Sequence, residues 1–196
     1  LGRRGAGKTT LLRAAALLPP PAAGQVIFAG QDLARLKPAE LRALRRWMPF
    51  VGGDPRQQFP PRASVAEAVV EALAIHRIGT PADRLERAAA LLAELGLNPA
   101  LLNRPVQALS AGLRQALALA RALILEPQLL LTDEIVDHLE PAAAGPLLER
   151  LAGLARARGL AWVWTGTDPA LAARFADRVL CLEAGRLEPL APAARA

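Results

Sequence analysis

The chain begins Leu1-Gly2-Arg3-Arg4-Gly5-Ala6-Gly7-Lys8-Thr9-Thr10 and runs on into an apolar segment at helical spacing. Gly2, Gly7, Lys8 and Thr9 satisfy the pattern G-x-x-x-x-G-K-[ST], in which glycines let successive backbone N–H groups turn toward a bound phosphate. Such a loop joins a strand to a helix, and the helix N-terminus adds the positive end of its dipole. The pattern therefore makes Gly2, Gly5, Ala6, Gly7, Lys8, Thr9 and Thr10 the expected phosphate contacts. Lys8 is expected against β- and γ-phosphates, and the Thr9 hydroxyl on Mg²⁺. Only Leu1 precedes Gly2, so the chain reads as a fragment whose leading strand has been lost.

Further along, short apolar runs alternate with longer helical ones, the signature of an α/β fold with a parallel sheet flanked by helices. Helices are expected over Lys8 to Leu18, Pro38 to Arg46, Ser64 to Ile75, Pro81 to Leu95, Ala111 to Leu125, Pro141 to Arg158 and Pro169 to Phe175. Strands are expected over Gln25 to Ala29, Trp47 to Val51, Leu129 to Thr132, Leu160 to Trp164 and Arg178 to Leu182. With 196 residues, 53% of them apolar, one core and one domain over 1–196 are expected. The net charge of +6 is spread over 24 basic and 18 acidic residues. A solvated surface explains this scatter, with an acidic partner or anionic lipid as the alternative. The single cysteine, Cys181, sits in an apolar run and reads as a buried structural thiol. No apolar run approaches the roughly 18 residues of a membrane span and no signal peptide is visible, so a cytoplasmic place is expected.

The second chemical element is Leu129-Leu130-Leu131-Thr132-Asp133-Glu134, an apolar strand with two carboxylates at its C-terminal end. Asp133 is placed to hold Mg²⁺ or its water, and Glu134 to polarise an attacking water as general base. An ordinary helix-start acidic cluster is the alternative, and the glycine loop at the head of the chain weighs against it.

Between these elements, Leu109-Ser110-Ala111-Gly112-Leu113-Arg114-Gln115, then Ala120-Arg121-Ala122-Leu123 and Pro127, resembles the LSGGQ signature region of ABC-type ATPases. The order of glycine loop, signature and Asp-Glu strand matches that family across essentially the whole chain. Asp54 to Val65 looks like the D-P-x-x-x-L-N-P-R-x-T-V segment of the peptide and nickel importer ATPases. The resemblance implies a P-loop NTPase core carrying an inserted α-helical subdomain at about 54–125. It implies ATP and Mg²⁺ as cofactors and a head-to-tail dimer with a second ABC ATPase subunit, the same or paralogous. In that dimer Ser110 and Gly112 would contact the γ-phosphate held by the partner. It also implies transmembrane permease subunits, attachment to the cytoplasmic face of the cell membrane, and no direct nucleic-acid partner.

Several positions depart from the family pattern. Gly53 stands where the family has a Gln that contacts Mg²⁺ and water, with Gln57 or Gln58 as neighbours. Ala111 and Leu113 replace a Gly and a Gln of the signature. Ile135-Val136-Asp137-His138-Leu139-Glu140 replaces P-T-S-A-L-D. Thr167 stands where a His would touch the γ-phosphate, and a hydroxyl cannot carry positive charge. Loss of a transition-state contact of this kind costs about 3 kcal/mol. His76 reads as a helix-end residue, His138 as an exposed one, and the Trp162/Trp164 alternation as a strand packed on both faces. Two functions follow as expectations: an importer ATPase for peptides, nickel or a similar small solute, with reduced turnover, or a degenerate nucleotide-binding half of a heterodimer. An ABC-type ATPase of a non-transport complex is a third.

Overall fold

The computed structural model describes residues 1–52, 58–60, 62–136, 139 and 141–190, with 141–143 by backbone only. Gly53 to Gln57, Pro61, Asp137, His138, Glu140 and the tail 191–196 lie outside the described residues, and with them Asp54 to Gln57 and Pro61 of the importer-like segment.

The run Leu129–Asp133 is apolar on both sides of its pleat, a pattern that suits a strand covered on both faces. It forms the middle strand of a parallel sheet, between Phe50–Val51 and Ala161–Thr165. In chain order the strands are β1 (Ile27–Phe28), β2 (Gln31–Asp32), β3 (Phe50–Val51), β4 (Leu129–Asp133), β5 (Ala161–Thr165), β6 (Leu180–Glu183) and β7 (Arg186–Pro189). The helices are α1 (Lys8–Ala15), α2 (Pro38–Leu44), α3 (Val65–Ile75), α4 (Pro81–Glu94), α5 (Ala111–Leu123), α6 (Pro141–Arg158) and α7 (Pro169–Phe175). Alternate β4 residues face opposite layers. Leu130 joins the main core with α3, α4, α5 and α6, while Leu131 packs with Leu12 of α1, Leu33 and Met48 on the other side.

Strands β3 and β4 are neighbours in register, Phe50 opposite Leu131 and Val51 opposite Thr132, yet α3, α4 and α5 come between them in sequence. Each of these helices has a hydroxyl N-cap: Ser64, Thr80 and Ser110 accept from the backbone N–H of Glu67, Asp83 and Leu113. Ser64 and Thr80 form full capping boxes, and the return hydrogen bonds hold the Glu67 and Asp83 carboxyls below their ordinary pKa values. The chain's first residue lies against β6: the Leu1 nitrogen donates to Leu180 O (2.6 Å) and the Leu182 N–H to Leu1 O (2.8 Å). That is the hydrogen-bond pattern of a parallel bridge. Among the described residues no helix is long and apolar enough to cross a membrane.

Helices α6 and α7 have the expected bounds, whereas α1 stops at Ala15 rather than Leu18. Leu18 precedes Pro19, which disfavours the helical region, and the chain closes with Leu17 at φ 51° and the Leu18 N–H on Arg13 O. The expected strand from Trp47 shrinks to Phe50–Val51. Trp47 ends a 3₁₀ turn, and Pro49 has no N–H to offer β4, although the Pro49 carbonyl still accepts from the Leu131 N–H. Trp162 and Trp164 share one face of β5 and stack with ring centroids 5.7 Å apart, so the strand does not bury both faces: Val163 between them is exposed. Cys181 is half-buried rather than buried. Strand β7, unexpected from sequence, completes a hairpin whose turn residues Ala184 and Gly185 both have positive φ.

Because Leu130 is fully buried beneath the helical layer, Leu130→Ala should lower unfolding free energy by about 3 kcal/mol in denaturant titration. A loss under about 1 kcal/mol would place the strand outside the core.

Candidate functional site

The glycine loop runs from the Leu1 bridge into α1. Gly5 and Gly7 sit at φ 81° and 97°, in the left-handed region that favours glycine. Gly2 is pressed against β6, where an added Cβ would lie 2.8 Å from Leu182 O. Gly7 is the N-cap of α1, and no side chain caps the helix, so its first-turn N–H groups have no side-chain acceptor. Thr9 is half-buried and Thr10 exposed in that first turn.

Lys8 is 4% exposed, and its ammonium has its three donors matched by three oxygens. It donates to Gly2 O (2.9 Å) and Arg3 O (3.1 Å), which curls the loop over the side chain, and pairs with Glu134 Oε1 at 3.0 Å. Of these acceptors only Glu134 belongs to a mobile side chain; the other two are loop backbone. A phosphate bound by Lys8 in this loop would compete with the Glu134 carboxylate for the same ammonium.

Asp133 ends β4 and Glu134 follows it, beside α1. Asp133 is 8% exposed, and its Oδ1 accepts from Thr165 Oγ1 at 2.6 Å. Glu134 leaves the strand at φ 50°, a conformation costly for a side chain with a Cβ, and its N–H is held by both the carbonyl and the hydroxyl of Thr165, at 3.2 Å each. Thr165 thus fixes both carboxylate-bearing residues. Behind them, Trp162 Nε1 donates to Thr132 Oγ1 at 2.9 Å. Gly52, at the end of β3, approaches so closely that an added Cβ would lie 2.7 Å from Asp133 Cβ.

The loop, Lys8, Asp133 and Glu134 are thus brought together. Ser110 and Gly112 are at the start of α5, and among the described residues no hydrogen bond or ion pair joins them to the loop. Ser110 is exposed and caps α5 through Leu113 N–H (3.3 Å). Thr167 is exposed in the turn after β5, just before Asp168, which caps α7. Gly53 and His138 fall outside the described residues, and His76 caps the end of α3. Sequence reasoning did not single out Thr165 or Gly52. The signal available for Thr165 was a polar residue after an apolar run; its place opposite Asp133 comes only with the fold.

The residues fit a phosphate and its metal: a buried ammonium, an uncapped helix N-terminus and a hydroxyl in its first turn lie beside two carboxylates. Fold and site together define a P-loop nucleotide-binding α/β domain. A family model described as ABC transporter matches residues 1–137, more than half of the sequence, and the chain belongs to that family. It is 38% identical over 191 residues to the "Putative peptide import ATP-binding protein" of Brucella ovis, covering 97% of this chain and 60% of that one. It is 33% identical over 192 residues to the glutathione import ATP-binding protein GsiA of Escherichia coli K12, covering 98% and 31%. The chain therefore spans less than two thirds of the length of either relative. Among solved structures, the dimeric ATP-binding cassette MJ0796 bound to ADP and Pi superposes with TM-score 0.85 at 28% identity, over 97% of this chain and 83% of that one. CbiO1 from Clostridium perfringens, part of an ABC transporter complex, gives 0.84 at 25% identity, over 96% and 73%.

Removing the carboxylate that competes for Lys8 should strengthen binding of a phosphate-bearing ligand. Glu134→Gln is expected to lower the Kd for ADP by roughly threefold or more, measured by calorimetry with and without Mg²⁺. An unchanged or weaker affinity would contradict the exchange.

Proposed function

We propose that this chain is the Mg·ATP-binding, ATP-hydrolysing part of an ABC importer subunit, working on peptides, nickel or a similar small solute. The observation that carries the reading is the joining of Lys8 and Glu134 across an uncapped glycine loop, which puts phosphate site and general base in direct contact. The printed names of the two import relatives favour a peptide-like cargo, glutathione being itself a peptide.

In this reading the N–H groups of Gly5 to Thr10 and the Lys8 ammonium hold the β- and γ-phosphates, with Gly2 keeping the loop against β6. Thr9 and Asp133 would hold Mg²⁺, which supplies charge neutralisation at the phosphates. Thr165 orients Asp133 through its hydroxyl. Glu134, once released from Lys8, faces the phosphate site as the base that takes a proton from water. The single domain over 1–196 with a helical subdomain at about 54–125 belongs to the same proposal, supported by α3, α4 and α5 lying between the neighbouring strands β3 and β4. Ser110 and Gly112, apart from the loop of their own chain, serve the nucleotide of a second ATPase subunit, as the dimeric form of MJ0796 suggests. Permease subunits would hold the pair at the cytoplasmic face of the membrane.

A second reading rests on Thr167. An exposed hydroxyl at that turn cannot supply positive charge to the γ-phosphate, so slow turnover, or a partner subunit that performs most of the hydrolysis, is the alternative.

Steady-state phosphate release from Mg·ATP by the full-length protein tests the choice. Turnover that falls at least about a hundredfold in Glu134→Gln supports hydrolysis with Glu134 as base. No turnover in either protein, with ADP binding retained, favours the second reading, and no nucleotide binding at all contradicts both.

A further inference from the structure

Arg121, near the end of α5, is a half-buried cation outside the phosphate site with both a hydrogen-bond and an aromatic partner. Its Nη1 donates to Gln58 O at 2.8 Å, and its guanidinium lies over the buried Phe59 ring, 4.7 Å from the centroid. Gln58 Nε2 reaches back to Gly52 O at 3.4 Å, and Gly52 abuts Asp133. The path thus runs from α5 through Gln58 and Gly52 to the metal-side carboxylate. Arg121, Gln58, Gly52 and Glu71 of α3 line one groove of about 300 Å³.

A half-buried cation is a poor way to add stability, because its desolvation offsets much of what its partners return. Burial pushes the Arg121 pKa down from its ordinary value, and the Glu71 charge opposes that shift. The planar fork nevertheless allows two things at once, an in-plane hydrogen bond and a flat stack on an aromatic ring, which a lysine cannot combine. We propose that Arg121 is a positioning residue, holding Gln58 and Phe59 against α5 and, through the Gln58–Gly52 hydrogen bond, setting where Gly52 stands beside Asp133. The effect on catalysis rests on the proposed ATPase reading; the placement of Gly52 does not.

The test uses Arg121→Met, which keeps an apolar stem without charge, and Arg121→Lys, which keeps stem and charge but loses the planar fork. For Arg121→Met, kcat is expected to fall about tenfold with KM for ATP within about twofold and little change in the denaturation midpoint. Arg121→Lys should recover only part of kcat. An unchanged kcat in Arg121→Met, a kcat that follows lost stability, or full recovery by Lys would overturn the proposal. A wild type without Glu134-dependent turnover would overturn the ATPase reading instead, and hydrogen exchange then decides the positioning alone. Exchange over Phe50–Gly52 should quicken severalfold in Arg121→Met while β4 and α5 stay protected; unchanged exchange there overturns the role of Arg121.

Discussion

A buried ammonium needs an acceptor for every hydrogen, and the arrangement of Lys8 follows from that need. Two of its acceptors are carbonyls of the loop that carries it, so the side chain cannot be satisfied unless the loop curls back on itself. The curl requires left-handed residues, which Gly5 and Gly7 supply, and it leaves the start of α1 uncapped. The third acceptor, Glu134, is the one that can leave. In the proposed function, phosphate affinity and release of the base would then be one exchange, since the carboxylate that gives up Lys8 to the ligand is the one proposed to act on it.

Strand β4 makes the exchange possible by delivering Glu134 to that spot. It is held by α1 on one face and by the helical layer on the other, and its last residue, Asp133, and the following Glu134 are tied to β5 through Thr165. The left-handed turn at Glu134 stores strain that the Thr165 carbonyl and hydroxyl restrain. Gly52 closes the other side of Asp133 where no larger residue would fit without movement. The ends of β3, β4 and β5 thus meet beside Lys8, where α1 begins, the arrangement in which parallel sheets place ligands.

What was legible in the sequence is what local chemistry determines. The glycine loop and the bounds of α6 and α7 depend on residues a few positions apart. The family resemblance, carried by Leu109 to Gln115 and the Asp133-Glu134 pair, agrees with the family match. Contacts that cross the chain were not legible: Lys8 to Glu134, Thr165 to Asp133, Arg121 to Gln58 and Leu1 to β6 each join residues brought together only by topology. The short strand β3 misled because Trp47 and Met48 have strand composition, while Pro49 removes the hydrogen bond that would extend the ladder. The tryptophans of β5 misled in another way, since period two puts both on one face and leaves Val163 on the other.

The most direct measurement is the backbone amide spectrum of the isotopically labelled protein before and after saturation with Mg·ADP. The amides of Gly5, Gly7, Lys8, Thr9 and Thr10 should show the largest shifts, as hydrogen bonds to phosphate form at the uncapped helix start, and the Glu134 amide should move with them as its side chain leaves Lys8. Saturable binding that leaves these amides unmoved, with the changes gathered elsewhere, would contradict the exchange at Lys8 and the site built around it.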